Sequence, residues 1–189
     1  MGMDKKTAVK RLVIAFSCLF LLTGCYDSRE IEERAIVLAI GIDQINEDEV
    51  AVTVQIPIPM NIAGGSTGSG GGSEGESVKI ISTTGRTFFE ALERLRYQMS
   101  EKMFFGQTMI LAVNKKLAKH GLENVLDALR RMPQIRRLLY PIVIEEGSAA
   151  QFLKVKTDME KVPAVYIDRM ITSEKRLDYV SDYTLGHFY

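Results

Sequence analysis

"AIVLAIGIDQINEDEVAVTVQIPIP", residues 35–59, decides the fold. Its first nine residues are too short for a free-standing helix and rich in Ile, Val and Ala, which predicts a buried strand. "VAVTVQIPIP", residues 50–59, is β-branched and partly alternating, and "QINEDE" between the two runs supplies a polar turn. Together they predict a hairpin. Pro57 and Pro59 should end its pairing or place that end at a sheet edge, because proline has no N–H to give to a ladder.

Working outward, "AGGSTGSGGGSEGES", residues 63–77, predicts a flexible exposed loop from its glycine and serine content. Phosphate-cradling loops have fixed glycine spacing and open a helix, whereas these glycines lead into "VKIISTTG", residues 78–85, a further strand candidate. "TFFE" from Thr87 has the form of a capping box with Glu90. Phe88, Leu92, Leu95 and Met99 then fall on one helical face, opposite Glu93, Arg94 and Gln98.

"GQTMILAVN", residues 106–114, reads as a strand, and "GLENVLDALRRMP" as a second amphipathic helix with Leu122, Val125, Leu126 and Leu129 on one side and Pro133 closing it. "LLYPIVIEEG", residues 138–147, is another strand, and "SAAQFLKV" opens a helix with Ser148 and Gln151 as a capping box. The expected fold is α+β (mixed α/β), a sheet of about four to five strands covered by two to three helices.

The 189 residues suffice for one domain with a real core, and 46% hydrophobic and 25% charged residues are ordinary values for a folded protein. Beyond residue 24 the chain has 20 basic and 23 acidic side chains, a formal charge of −3. A mildly acidic body sets nucleic-acid binding aside, since that affinity rests mainly on neutralising phosphates.

Residues 1–11 form a short basic region, and "LVIAFSCLFLL", residues 12–22, is an uncharged apolar run. At about 1.5 Å per residue a helix of that length falls well short of a hydrocarbon core of roughly 30 Å. Basic flank, short apolar core and small residues at Thr23 and Gly24 read as a cleaved export signal over residues 1–24. "LTGC" resembles the bacterial lipobox. Cleavage between Gly24 and Cys25 would leave Cys25 first, its thiol the nucleophile for diacylglyceryl transfer. That covalent lipid is the one attached group expected; no other cofactor and no metal is.

Other readings of Cys25 are a buried free thiol, a disulfide and a catalytic nucleophile. Cys18, the other cysteine, lies inside the apolar run and would leave with the signal. A catalytic thiol wants a nearby base, and His120 and His187 lie far away in sequence. After Cys25 a charged tether, residues 25–34, leads into a body of residues 35–189.

Enzymatic constellations are not found. Glu145 and Glu146 are adjacent on a strand and point to opposite faces; Asp43, and Asp158 with Glu160, read as solvated or turn carboxylates. No His and Cys spacing suggests zinc, and no nucleophile motif appears. Arg130, Arg131, Arg136 and Arg137 form the one local basic cluster. It suits a helix C-terminus or, alternatively, anionic lipid headgroups.

Taken in order, the lipobox, "DSREIEERAIVLAIGID" and "TTGRTFFEALERLRYQMSEKMFFGQTMILAVNKKLAKHGLENVLDALRRMPQIRR" resemble the N-terminal region of the Ger(x)C family, the lipoprotein C subunits of spore germinant receptors. The resemblance runs from Cys25 to about Tyr189. It implies a non-catalytic subunit, lipid-anchored on the outer face of the spore's inner (cytoplasmic) membrane and assembled with two integral membrane subunits that help sense nutrients. In "FFGQTMILAVN" the family commonly shows a histidine after the glycine; Gln107 stands there, at an expected strand position able to hydrogen-bond. The chain stops at "DYTLGHFY", and on this resemblance the family's C-terminal domains are absent from it. The alternative is a generic extracytoplasmic lipoprotein that binds a small solute or cell-wall fragment.

Two acyl chains suffice for stable anchoring where one is marginal, at about 0.8 kcal/mol per buried methylene. A Cys25→Ala variant is therefore expected to move from the membrane to the soluble fraction on cell fractionation. Retention as firm as the parent's would refute lipid attachment.

Overall fold

In the computed structural model, which describes residues 34–59, 62, 76–155, 159–175 and 183–188, the run "AIVLAIGID" is divided between two sheets. β1 (Arg34–Ile36) pairs in parallel with β5 (Lys102–Phe104); after Val37 and Leu38 the chain enters β2 (Ala39–Asn46) of the main sheet. The change of partner leaves no backbone group of those two residues orphaned. Val37 N–H donates to Phe104 O at 2.9 Å and Val37 O accepts from Thr108 Oγ1 at 3.0 Å. Leu38 N–H donates to Gln55 O, and Leu38 O accepts from Met109 N–H, both at 2.9 Å. Full satisfaction is what allows an apolar segment to change ladders inside the fold.

The hairpin forms as expected, but β2 runs on to Asn46, so its turn is only Glu47–Asp48 before β3 (Glu49–Pro57). Asn46 Oδ1 accepts from Asp48 N–H at 3.0 Å and shapes that turn. Pro57 still pairs with Val78, beyond the end of the β2 ladder at Ala39 and Gln55, so its missing N–H interrupts nothing on that side.

The main sheet has the order β4-β3-β2-β6-β7, with β4 (Val78–Gly85), β6 (Ile110–Asn114) and β7 (Tyr140–Ile144). β4, β3 and β2 are antiparallel neighbours; β2, β6 and β7 run parallel. β6 starts four residues later than "GQTMILAVN" suggests, because Thr108 and Met109 are spent on Val37 and Leu38. Tyr140 N–H donates to Met109 O at 2.8 Å, so in the alternating parallel ladder Pro141 faces away from β6. Among the described residues that side is a free edge, and a proline there blunts it.

Helices cover both faces. α1 (Phe88–Tyr97) is capped by Thr87, whose side chain accepts from Glu90 N–H at 3.1 Å. The return bond differs from a capping box: Glu90 Oε2 takes Arg86 N–H, at 2.9 Å, rather than that of Thr87. Glu90 also holds Arg94 Nη2 at 2.8 Å. The Arg86 amide, with the Arg94 and Arg86 charges, keeps this carboxyl below its ordinary range against a smaller desolvation effect.

α2 (Lys115–His120) and α5 (Pro163–Lys175) are additions to the expected helices; α3 (Glu123–Arg130) and the single turn α4 (Ala149–Phe152), with its full Ser148–Gln151 capping box, were expected. Asn114 caps α2 through Leu117 N–H, and its amide also pairs with both backbone groups of Gln44 at 3.1 and 3.2 Å. Five α-helices among the described residues, with a 3₁₀ turn at Leu185–Phe188, complete the α+β architecture.

Strand alternation sorts the core. Ile40, Ile42, Val52, Val54, Leu111 and Val113 face α1 and α3, where Phe88, Leu92, Leu95, Val125 and Leu129 complete one apolar cluster. Ala39 and Ile110 face the other way, toward Leu153, Ala164, Ile167 and Ile171 of the α4–α5 side. That second face is thinner and partly polar. Gly41 lies there because a Cβ would come within 3.1 Å of Leu153 Cδ1 and 3.2 Å of Ala149 Cβ.

Asp43, expected to be solvated or in a turn, is instead buried on this face. Its two oxygens accept from Ala149 N–H at 2.7 Å and Ala150 N–H at 3.0 Å, at the start of α4. Gln55, fully buried, donates to Leu153 O at 2.7 Å and accepts from Ala164 N–H at 3.0 Å, joining the end of α4 to the start of α5. Polar groups on the inner face are tolerated because each has a partner.

Replacing Asp43 with Ala leaves two helix N–H groups without acceptors. A loss of about 3 kcal/mol is expected, read as a fall in Tm of roughly 6–12 °C; an unchanged Tm would remove Asp43 from this role. Glu90 has a lowered carboxyl pKa, so its contribution is present above the unfolded-state value and is lost as pH falls through the folded-state value. The Tm gap between parent and Glu90→Gln should therefore exist at neutral pH and close as the pH falls through the lowered folded-state value.

Candidate functional site

Gln107 occupies the turn between β5 and β6, a correction to the strand position expected for it; β6 begins only at Ile110. Gly106 before it is buried under the Phe104 ring, where a Cβ would sit 2.4 Å from Phe104 Cζ. No other residue fits without moving that ring, which also carries the Arg34 guanidinium 5.5 Å from its centroid. Phe105 N–H donates to Gln134 Oε1 at 3.3 Å, tying this turn to the segment that follows α3. Gln107 itself is exposed.

The four arginines sit around that segment. Arg130 ends α3 and Arg131 is its C-cap, ion-paired with Asp127 at 2.9 Å. Both partners are well exposed, so the pair contributes little, about 0.3–0.5 kcal/mol. Arg136 and Arg137 lie in the loop before β7, also exposed. The C-terminal 3₁₀ turn lies alongside: Gly186 N–H donates to Arg137 O and Leu185 N–H to Leu139 O, each at 2.8 Å. Leu139 and Leu185 are fully buried, and this seats the loop on the core.

On this loop and on the turn bonded to it three large apolar side chains face water: Leu138, 72% exposed, Tyr183, 63%, and Phe188, 49%. The Tyr183 ring stands edge-on to His187, centroids 5.8 Å apart, and His187 Nδ1 accepts from Thr184 N–H at 3.2 Å. Sequence reading singled out the arginines and missed these three. Leu138 sat in a run assigned to a strand, and no local pattern links residues 183–188 to residues 137–139. The arrangement offers a basic and apolar surface suited to binding.

Asp43 aside, among the described residues the carboxylates singled out in the sequence are held apart in separate ion pairs or face water. Glu145 pairs with Lys115, whose hydrogen bond and then charge hold it below the ordinary carboxylate range. Glu146 is exposed, and Glu160 pairs with Arg169 at 2.6 Å. An open depression between the β2–β3 turn and α1 is lined by Asn46, Glu49, Arg86, Glu90 and Arg94. Its Glu90 is already shared by two arginines and held ionised, which suits it poorly to act as a general acid. Among the described residues no group of three or more His, Cys, Asp or Glu side chains is placed to hold a metal ion. Gly24, Cys25, Asp158 and most of the glycine- and serine-rich stretch lie outside the described residues.

Comparison with known proteins bears on the whole domain. The family described as spore germination protein N-terminal domain matches residues 27–189. Spore germination protein KC of Bacillus subtilis (strain 168) is 33% identical over 160 residues, 84% of this chain and 39% of that protein. The putative spore germination protein YfkR of the same organism is 34% identical over 164 residues, 86% of this chain and 42% of its own length. Spore germination protein GerQC of Bacillus cereus is 25% identical over 163 residues, again 86% and 42%. The chain thus spans less than half the length of these relatives. No solved structure matches it significantly. On the match over residues 27–189 and these identities, the chain belongs to the Ger(x)C family of spore germination proteins and corresponds to their N-terminal domain.

Proposed function

We propose that this chain acts in spore germination as a lipid-anchored, non-catalytic subunit of a nutrient germinant receptor, working by binding and by assembly with two integral membrane subunits. The observation that carries this is the family match across residues 27–189, immediately behind the lipobox cysteine at position 25. The position is mechanically apt: the lipid on Cys25 would hold the domain at the outer face of the cytoplasmic, spore inner, membrane, where partner subunits span the bilayer. Within the fold, the buried polar side chains Asp43, Gln55, Thr108 and Asn114 are engaged with backbone groups of neighbouring elements. Their use is architectural, and it leaves the exposed surface as the part available to partners.

The test is genetic. Deleting the locus should abolish or slow germination in response to at least one nutrient, read as loss of spore refractility over time, while germination forced by non-nutrient means stays normal. Complementation by the parent should restore the response and by Cys25→Ala should not. Normal responses to every nutrient, in a strain with its other receptors removed, would overturn the reading.

A further inference from the structure

We propose that the surface made by Arg136, Arg137, Leu138, Tyr183 and Phe188 docks on an anionic lipid bilayer, so that the domain lies against the membrane in a fixed orientation. The inference rests on the lipid anchor at Cys25 and goes beyond it, since an anchor alone leaves a tethered domain free to tumble.

Charge is the first support. Residues 130–144 contain four arginines and no carboxylate, on a body whose formal charge beyond residue 24 is −3. Asp127, a nearby acid on α3, is engaged by Arg131. Such a segment is drawn to anionic headgroups by about 1 kcal/mol per basic side chain. Composition is the second support. An aliphatic side chain 72% exposed and preceded by two arginines, with an exposed Tyr and Phe on the segment bonded to its two neighbours, has the chemistry of a membrane interface. Aromatic rings sit at headgroup level there, and apolar side chains dip beneath it. The rings are held in place: the 3₁₀ turn is bonded to Arg137 and Leu139, and Tyr183 rests against His187.

Reach is the third. Eight residues separate Cys25 from Arg34, so the nine steps between them span at most about 30 Å of extended chain. Arg34 stacks on Phe104, and the neighbouring Phe105 is bonded to Gln134 in the arginine-bearing segment. The point where the tether enters the fold is therefore linked through three side chains to the proposed surface. A bilayer surface matches this combination of cation, aromatic ring and exposed aliphatic better than an acidic peptide, which would use the arginines alone.

The test uses the full, processed chain in vesicles, with an environment-sensitive fluorophore on Leu138→Cys and, as control, on Glu93→Cys of α1. Phosphatidylcholine vesicles are compared with vesicles rich in phosphatidylglycerol. The expected result is a blue shift at position 138 in the anionic vesicles, none at position 93, and reversal near 1 M salt, where the screening length is about 3 Å. Arg136→Gln combined with Arg137→Gln should lower the docking equilibrium about thirtyfold without changing Tm. A chain that stays on anionic vesicles with no shift at 138 overturns the proposal. A shift seen only in native membranes, and not in pure lipid, also overturns it and assigns the surface to a protein. Failure to remain on neutral vesicles would overturn the anchor instead; docking is then read from salt-sensitive flotation with anionic vesicles, which the double variant should lose and whose absence refutes it.

Discussion

Val37 and Leu38 are the joint on which the rest depends. At these two residues the chain leaves a parallel pairing with β5 and enters the centre of a five-stranded sheet, and all four of their backbone groups find partners. The partners come from β5, β3 and the segment at Thr108–Met109, so one joint ties together both sheets and both sides of the central strand. An orphaned N–H or C=O in a buried position costs about 1–3 kcal/mol. The position of Thr108 is thereby fixed, and with it the tight Gly106–Gln107 turn that leads into it. The arginine-bearing segment is held to that turn through Gln134, so the proposed docking surface inherits its position from the same joint.

Much of this was legible in the sequence, for reasons that can be named. The β2–β3 hairpin, β4, α1 and the Ser148 cap each carry a local signal: β-branched alternation, a 3.6-residue stripe or a capping side chain. The split at Val37 could not be read, because the apolar pattern runs through it without a break and the change lies in which strand is alongside. α2 has six residues with only Leu117 fully inside, too short to show a period. α5 buries Ala164, Ile167 and Ile171 on one side, yet Met170 is 46% exposed and blurs the stripe. Asp43 was misread for a related cause. A carboxylate after "GI" looks like a strand end meeting water, and only the return of the chain more than 100 residues later supplies the amide groups that bury it.

The candidate surface was half legible. Four arginines within eight residues stand out in any reading of charge, and the structure adds exposed apolar side chains beside that basic cluster. Those came from far away in sequence, through bonds from Leu185 and Gly186 to Leu139 and Arg137. Family membership places the domain among the spore germination proteins, and the fold shows how its inner polar groups are committed to architecture.

Gln55 carries a consequence for motion. One fully buried amide accepts from the first turn of α5 and donates to the carbonyl of Leu153, the C-cap of α4. Lifting one helix strands half of that amide and weakens the hold on the other. The α4–α5 layer should accordingly open as a single cooperative unit, while the opposite layer, packed by large aliphatic and aromatic side chains, opens independently of it.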